Sequence, residues 1–246
     1  MKYKTFSKLL ISVFFVAFVS KSQAQRIYDT TTVNLIWEIA GIQGYHYNTP
    51  YLSFDATYYM TDVDTVTVRD TTVAKYKLNG DSMNILMLND TIESIQNENY
   101  YGTVYHNDST IVVQKPVPLT RQIFQVDVSD SLFQNMGLKA MTATDSGIYR
   151  LIIMNFDSNA VYKSFKMTYC KTTNGLTYIT YTLRKDPNPN TTNLTSMCIR
   201  FSNYQTGQFG SSVFSTDPYF RVNSVSDIRL APGVSPTYEI VNLLEQ

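Results

Sequence analysis

Between residues 51 and 60 the chain alternates apolar and polar side chains. Leu52, Phe54, Ala56, Tyr58 and Met60 take one set of positions, and Ser53, Asp55 and Thr57 take the other. A period of two matches the pleat of a β-strand, so this segment predicts a strand with one buried face. The pattern recurs in Val66 and Val68 (64–69), Ala74, Tyr76 and Leu78 (73–78), and Met83, Ile85 and Met87 (82–88). Further strand segments follow at 91–96, 100–106 and 109–115. Asn79-Gly80-Asp81, Asn89-Asp90, Glu98-Asn99 and Asn107-Asp108 punctuate the series. Asparagine, aspartate and glycine accept tight-turn conformations at low cost, so the punctuation predicts antiparallel hairpins. A chain written this way is committed to a β-rich fold whose apolar face needs a cover.

A helix precedes the ladder. Thr30, Thr31 or Thr32 can cap it, and Val33, Ile36, Trp37 and Ala40 recur at helical spacing. Gly41 and Gly44 loosen the chain, and Pro50 stops it. Pro116 and Pro118 end the first ladder, and 122–128 fits neither period. Ser129 or Asp130 then reads as the cap of a helical insertion carrying Leu132, Phe133, Met136, Leu138 and Met141, weakened by Gly137. Strands resume at 148–156, 163–171, 177–184 and 196–204, with a turn at Thr173-Asn174-Gly175. The first of these is apolar on both faces apart from Arg150, which suggests a central strand. The loop 185–195, rich in proline and asparagine, reads as exposed, and a short helix or turn falls near 210–216. The last apolar run, Tyr238 to Leu244, reads as an edge strand or a C-terminal arm.

The first 24 residues carry an address. Lys2, Lys4 and Lys8 precede an apolar run of about 11 residues, Leu9 to Val19, and Ser22-Gln23-Ala24 has small residues at its first and third places. That order predicts a secretory signal cut after Ala24, and hence an exported protein outside the cytoplasm. The run is too short to span a bilayer, which takes about 20 residues. No cysteine stands at the cut to carry a lipid, and no second long apolar stretch follows, so no transmembrane segment is expected in the mature chain. The whole chain has 20 basic and 20 acidic residues, and removing the lysine-bearing prefix leaves a mildly acidic remainder. That balance argues against nucleic acid as a partner, which calls for a basic face. The 19 tyrosines and 13 phenylalanines suit a pleated, half-buried surface.

Chemistry is scarce. His46 is placed in a loop and His106 at a strand end, both read as surface or turn residues, and neither has metal-ligand spacing. There is no Gly-x-Ser-x-Gly, no phosphate loop and no Gly-x-Gly-x-x-Gly, so neither catalytic residues nor cofactors are expected. Glu93 and Glu98 flank a turn and read as solvated acids. Cys170 and Cys198 fall on strands that are next-nearest neighbours in a simple meander, about 9.6 Å apart. A disulfide wants Cα atoms within about 7 Å, so free thiols are expected. Asp-Thr and Asp-Ser pairs recur, and several fall at predicted turns, where aspartate bonds its own backbone.

The order of elements resembles the LolA/LolB-type periplasmic lipoprotein-carrier fold. The resemblance runs through "YLSFDATYYM", "VAKYKLNGDSMNILMLND", "YYGTVYHNDSTIVVQKP", "GIYRLIIMNF", "YKSFKMTYCKTTNGLTYITYTL" and "MCIRFSNYQTGQFGSSVFS". It implies an α+β, mostly β, fold: a curled antiparallel sheet, an unclosed barrel, with short helices over its concave face. It also implies a non-catalytic module that shelters an acyl chain, lipoprotein acyl chains or another hydrophobic ligand, in lipid or lipoprotein trafficking. The alternative is a protein-interaction subunit of an envelope complex, docking through its tail. The expected organisation is a signal peptide over 1–24, a half-barrel over 25–216 and a C-terminal extension over 217–246. Alternation nominates Trp37, Phe54, Tyr58, Tyr76, Ile85 and Met87 as the ligand-facing lining.

Overall fold

The computed structural model describes residues 30–61, 68–87, 91–117, 136–184, 196–207 and 209–245. The signal segment 1–24, the stretch 122–128, the start of the expected helix at 129–135 and the loop 185–195 lie outside them. One long helix, α1 (Thr30–Asn48), precedes the strands β1 (Leu52–Thr61), β2 (Val68–Asn79), β3 (Ser82–Met87), β4 (Ile92–Gln96), β5 (Tyr101–Tyr105) and β6 (Thr110–Gln114). Then come β7 (Leu138–Ser146), β8 (Tyr149–Phe156), β9 (Tyr162–Cys170), β10 (Leu176–Leu183) and β11 (Ser196–Thr206). A 3-10 turn η1 (Ser211–Phe214), the hairpin β12 (Phe220–Ser224) and β13 (Asp227–Leu230), and β14 (Glu239–Asn242) finish the chain.

Twelve strands form one sheet in the order β14-β6-β5-β4-β3-β2-β1-β11-β10-β9-β8-β7. Two meanders grow outward from β1, which pairs antiparallel with β2 on one side and β11 on the other. In a flat sheet β2 and β7 would stand about 29 Å apart, six ladder spacings. Helix α1 nevertheless lies against both, and a helix is only about 10–12 Å across. The sheet therefore curls around α1, and its edges β14 and β7 do not pair with each other. This is a mostly β, unclosed barrel with a helix in its concave face, as expected.

The register explains the core. Leu52, Phe54 and Ala56 of β1 stand opposite Leu78, Tyr76 and Ala74 of β2, which stand opposite Met83, Ile85 and Met87 of β3. On the other wing Ile199, Ile179, Met167 and Ile152 continue the same row through β11, β10, β9 and β8. Apart from Met87, which packs half-buried against it, these side chains form one buried cluster with Leu35, Ile36, Ile39 and Ile42 of α1.

Several local expectations change. The helix runs unbroken through Gly41 and Gly44 to Asn48. Ile42 and His46 extend its buried stripe there, at 0% and 1% exposure, and tertiary burial outweighs the roughly 1 kcal/mol each glycine costs. The expected helix over Leu138 and Met141 is instead β7. Gly137 adopts φ +74° and turns the chain into it, a conformation that suits glycine at a turn and not within a helix. The apolar strand near 148–156 lies one place in from the edge, covered by β7, so it is not central. The segment 73–78 belongs to a longer strand starting at Val68, and 62–67 lies outside the described residues.

The C-terminal region builds a second core on the opposite face of the sheet. Ile95, Gly102, Val104, Ile111 and Val113 share the face turned away from Met83 and Ile85. Phe220 and Leu244 bury there with Val104, Ile111 and Val113. Tyr219 donates its hydroxyl to Glu93, which also accepts from Asn84 Nδ2 at 2.6 Å. The apolar run at the end of the chain is an edge strand: β14 pairs parallel to β6, Ile240 opposite Ile111. Gly102 makes this packing possible, because a Cβ at that position would sit 2.7 Å from Phe220 Cε1. Gly102→Ala is therefore expected to lose about 1–3 kcal/mol of stability through overpacking. Denaturant unfolding should show the penalty shrinking in a Phe220→Leu background, where the ring edge is gone.

Candidate functional site

The concave face is fixed by how α1 seats in it. Residues Thr32, Leu35, Ile36, Ile39, Ile42 and His46 recur at three- and four-residue steps and are all buried. Trp37 precedes Ile39 by two residues, a rotation of about 200°, and is 73% exposed. Trp37 therefore points to solvent, away from the face it was expected to line. Alternation fixes the facing of a strand, but a helix with aliphatic residues at 35, 36, 39 and 42 presents the competing stripe that wins.

The other expected lining residues come together on the concave side at different depths. Phe54, Tyr76 and Ile85 are buried in the core. The Phe54 and Tyr76 rings stack with centroids 4.8 Å apart. Tyr58 and Met87 are only half-buried and pack against that cluster from its margin. Tyr162 and Met197, not singled out as lining by the sequence, share the margin with them. The register places Met197 beside Tyr181 of β10, and Tyr162 lies near the same strand end opposite Leu183. These residues cluster toward the end of the half-barrel remote from Leu52, where β1 begins.

Phenol hydroxyls punctuate this wall. Tyr58 and Tyr76 share a hydroxyl–hydroxyl hydrogen bond. Burial pushes both phenols above their usual range, Tyr76 strongly, and it raises Tyr181 as well. The wall is therefore neutral at physiological pH, with apolar carbon and hydroxyl groups on offer.

Toward the other end of the concave face, polar anchors tie α1 to the sheet. Tyr169 donates to Glu38 of α1, and Arg150 Nη1 bonds the same carboxylate at 2.9 Å. Arg150 also grips Asp145 through Nε at 2.6 Å, and Lys171 Nζ reaches Asp145 at 3.0 Å. The hydrogen bonds from Arg150 and Lys171 hold the Asp145 carboxyl well below the usual carboxylate range.

His46, expected in a surface loop, lies near the helix C-terminus and is 1% exposed. Its Nδ1 lies 2.9 Å from the Ile42 carbonyl and its Nε2 2.9 Å from the Tyr204 hydroxyl. A carbonyl only accepts, so Nδ1 carries the proton and Nε2 accepts from Tyr204. His106 lies in the turn after β5, with Nδ1 3.0 Å from the Tyr238 hydroxyl. Both cysteines are free thiols, as expected from their strand spacing. Among the described residues, no group of three or more histidine, cysteine or acidic side chains is placed to hold a metal.

No family model and no curated protein matches the chain. Among solved structures it is similar to a LolA superfamily protein from Nitrosomonas europaea, at 8% identity and TM-score 0.37, covering 77% of this chain and 99% of that one. It is similar to a putative outer membrane lipoprotein-sorting protein domain from Vibrio parahaemolyticus, at 7% identity and TM-score 0.31, covering 72% of this chain and 95% of that one. MucB, solved in complex with MucA(peri), matches at 9% identity and TM-score 0.34, covering 78% of this chain and 65% of that one.

Burial pushes the His46 imidazole down to about 4 from its usual 6.5. Below pH 6.5 the unfolded chain takes up a proton that the folded chain refuses, so folding stability falls as pH drops toward 4. The expected loss is about 3 kcal/mol across that window, at about 1.4 kcal/mol per unit of pKa. Urea unfolding at stepped pH should show this decline, and His46→Gln should remove this component of it.

Proposed function

We propose that this chain is a non-catalytic, exported binding module that shelters an acyl chain or similar apolar group in the concave face of its half-barrel. The observation that carries the reading is the margin of Tyr58, Met87, Tyr162 and Met197, half-buried apolar side chains packed against the core at one end of the concave face. Methionine and tyrosine suit such a task, because the thioether adapts to irregular apolar shapes and the phenol adds a polar tip. A ligand seated there would meet Tyr58 and Met87 of the predicted set first. Phe54, Tyr76 and Ile85 support the wall from beneath. The basic and apolar segment at 1–24 supports export, and in the periplasm lipoprotein or envelope lipid would be the cargo.

The interaction-subunit reading relied on the tail from Tyr238 to Leu244 docking onto a partner. Those residues are occupied within the chain, since Ile240 pairs beside Ile111 and Leu244 is buried in the second core. The ligand reading is therefore preferred.

Native mass spectrometry of the exported, purified chain, followed by organic extraction, tests it. The expected result is a co-purified lipid of defined mass. Met87→Asp and Met197→Asp should cut its occupancy at least tenfold in protein that remains folded by circular dichroism. Trp37→Asp, on the solvent side of α1, should leave it unchanged. An apo mass and a lipid-free extract from the wild-type chain would refute the proposal.

A further inference from the structure

The sheet has an internal break between β10 and β11. The ladder between β10 and β11 stops at Tyr178 opposite Arg200, yet β11 continues to Thr206. From Phe201 onward its ladder partners among the described residues lie in β1. Beyond the break β11 bulges at Asn203, which adopts φ +56°, and the β1–β11 register shifts between Ser53 and Asp55. A bulge of this kind twists the strand and ends regular pairing on its far side. Where β10 would continue, the chain instead makes the tight turn closed by Cys170 N–H donating to the Gly175 carbonyl at 2.9 Å.

The break opens a cleft of about 390 Å³. Tyr45, Leu176, Phe201 and Tyr204 supply its apolar surface, and Thr177 and Ser202 supply hydroxyls. No lysine, arginine, aspartate or glutamate lines it. Alternate backbone groups of an antiparallel strand point away from its partner, so those of Phe201–Thr206 that do not face β1 face this cleft. Gln205 and Thr206 are exposed along that edge. An unpaired strand edge is a template for another strand.

We propose that this cleft docks an extended, uncharged segment of a partner polypeptide, which pairs with the free Phe201–Thr206 edge of β11. Main-chain hydrogen bonds give the affinity, and the apolar surface around Phe201 and Leu176 takes alternate side chains. A strand, rather than a compact ligand, fits because the unused groups run in ladder order. An uncharged one fits because a charged side chain would enter a cleft with no counter-ion. The site does not depend on the lipid reading, and either can fail without the other.

Cys170 lines the cleft and makes the test direct. Hydrogen bonding, from Thr172 first and then Thr173, lowers its thiol to about 7, so it reacts at neutral pH. The other cysteine, Cys198, is 3% exposed. The probe is an uncharged, β-forming Thr/Val heptapeptide with a central cysteine activated as its 2-thiopyridyl disulfide. The Cys170 thiolate attacks the peptide sulfur, the mixed disulfide forms and 2-thiopyridone leaves. The control is the same peptide with proline on either side of the cysteine, which removes the amide donors and keeps the reactive group. The expected result is labelling of the full chain at least tenfold faster by the strand-forming peptide, with Ser202–Thr206 amides protected from hydrogen exchange in the adduct. Equal labelling rates, or an adduct without that protection, would overturn the proposal.

Discussion

The pairing of β1 with β11 holds the molecule together. Without it the chain would be two separate meanders, β1 to β6 and β7 to β11, each with its own long free edge. Residues 52–61 join residues 196–206 across most of the sequence, so closing this ladder carries the largest loop-entropy cost in the fold. The apolar row offsets that cost, because joining the wings places Ala56 opposite Phe201 and Tyr58 opposite Ile199 on the face that α1 covers. The curl follows from the same pairing. Only a sheet bent around the helix lets α1 rest on β2 and β7 at once.

The two faces of the β3–β6 wing then do different work. One turns Met83 and Ile85 into the central core, and the other turns Val104, Ile111 and Val113 toward the C-terminal region. A wing buried on both faces is stiff, and it supports Met87 at the margin of the concave wall. The Glu38–Arg150–Asp145 chain of charges does the equivalent work on the other wing, tying α1 to the β7–β8 hairpin. Between these fixed elements lie the half-buried tyrosine and methionine margin and the cleft at the β11 bulge.

Much of the strand pattern was legible because alternation is a local signal. Phe54, Tyr58, Tyr76, Ile85 and Met87 all fall on the concave side, as a period of two requires. The depth of each was not legible, since Phe54 and Tyr58 look alike in sequence and differ only in what α1 and the other wing place over them. Trp37 was misassigned because a helix with apolar residues at 33, 36, 37 and 40 as well as 35, 39 and 42 offers more than one stripe, and the sheet selects among them. His46 escaped notice because its burial depends on Tyr204 and Phe54, partners remote in sequence or on another element. The Asn203 bulge had no local signature beyond an asparagine within a strand.

By itself the sequence determined the turns at Asn79-Gly80-Asp81, Asn107-Asp108 and Thr173-Asn174-Gly175, the facing of the described strands and the unpaired state of the cysteines, whereas the expected turn at Asn89-Asp90 lies outside the described residues. Each depends on side-chain periodicity, turn chemistry or ladder spacing, which act over a few residues. The tertiary structure alone decided that Leu138–Ser146 is an edge strand, that the last residues seal a second core against Gly102, and that β11 outruns β10 to leave a cleft. Those outcomes depend on which distant surfaces meet. An isolated segment such as Leu138–Ser146 encodes no such preference until β8 is there to pair with it.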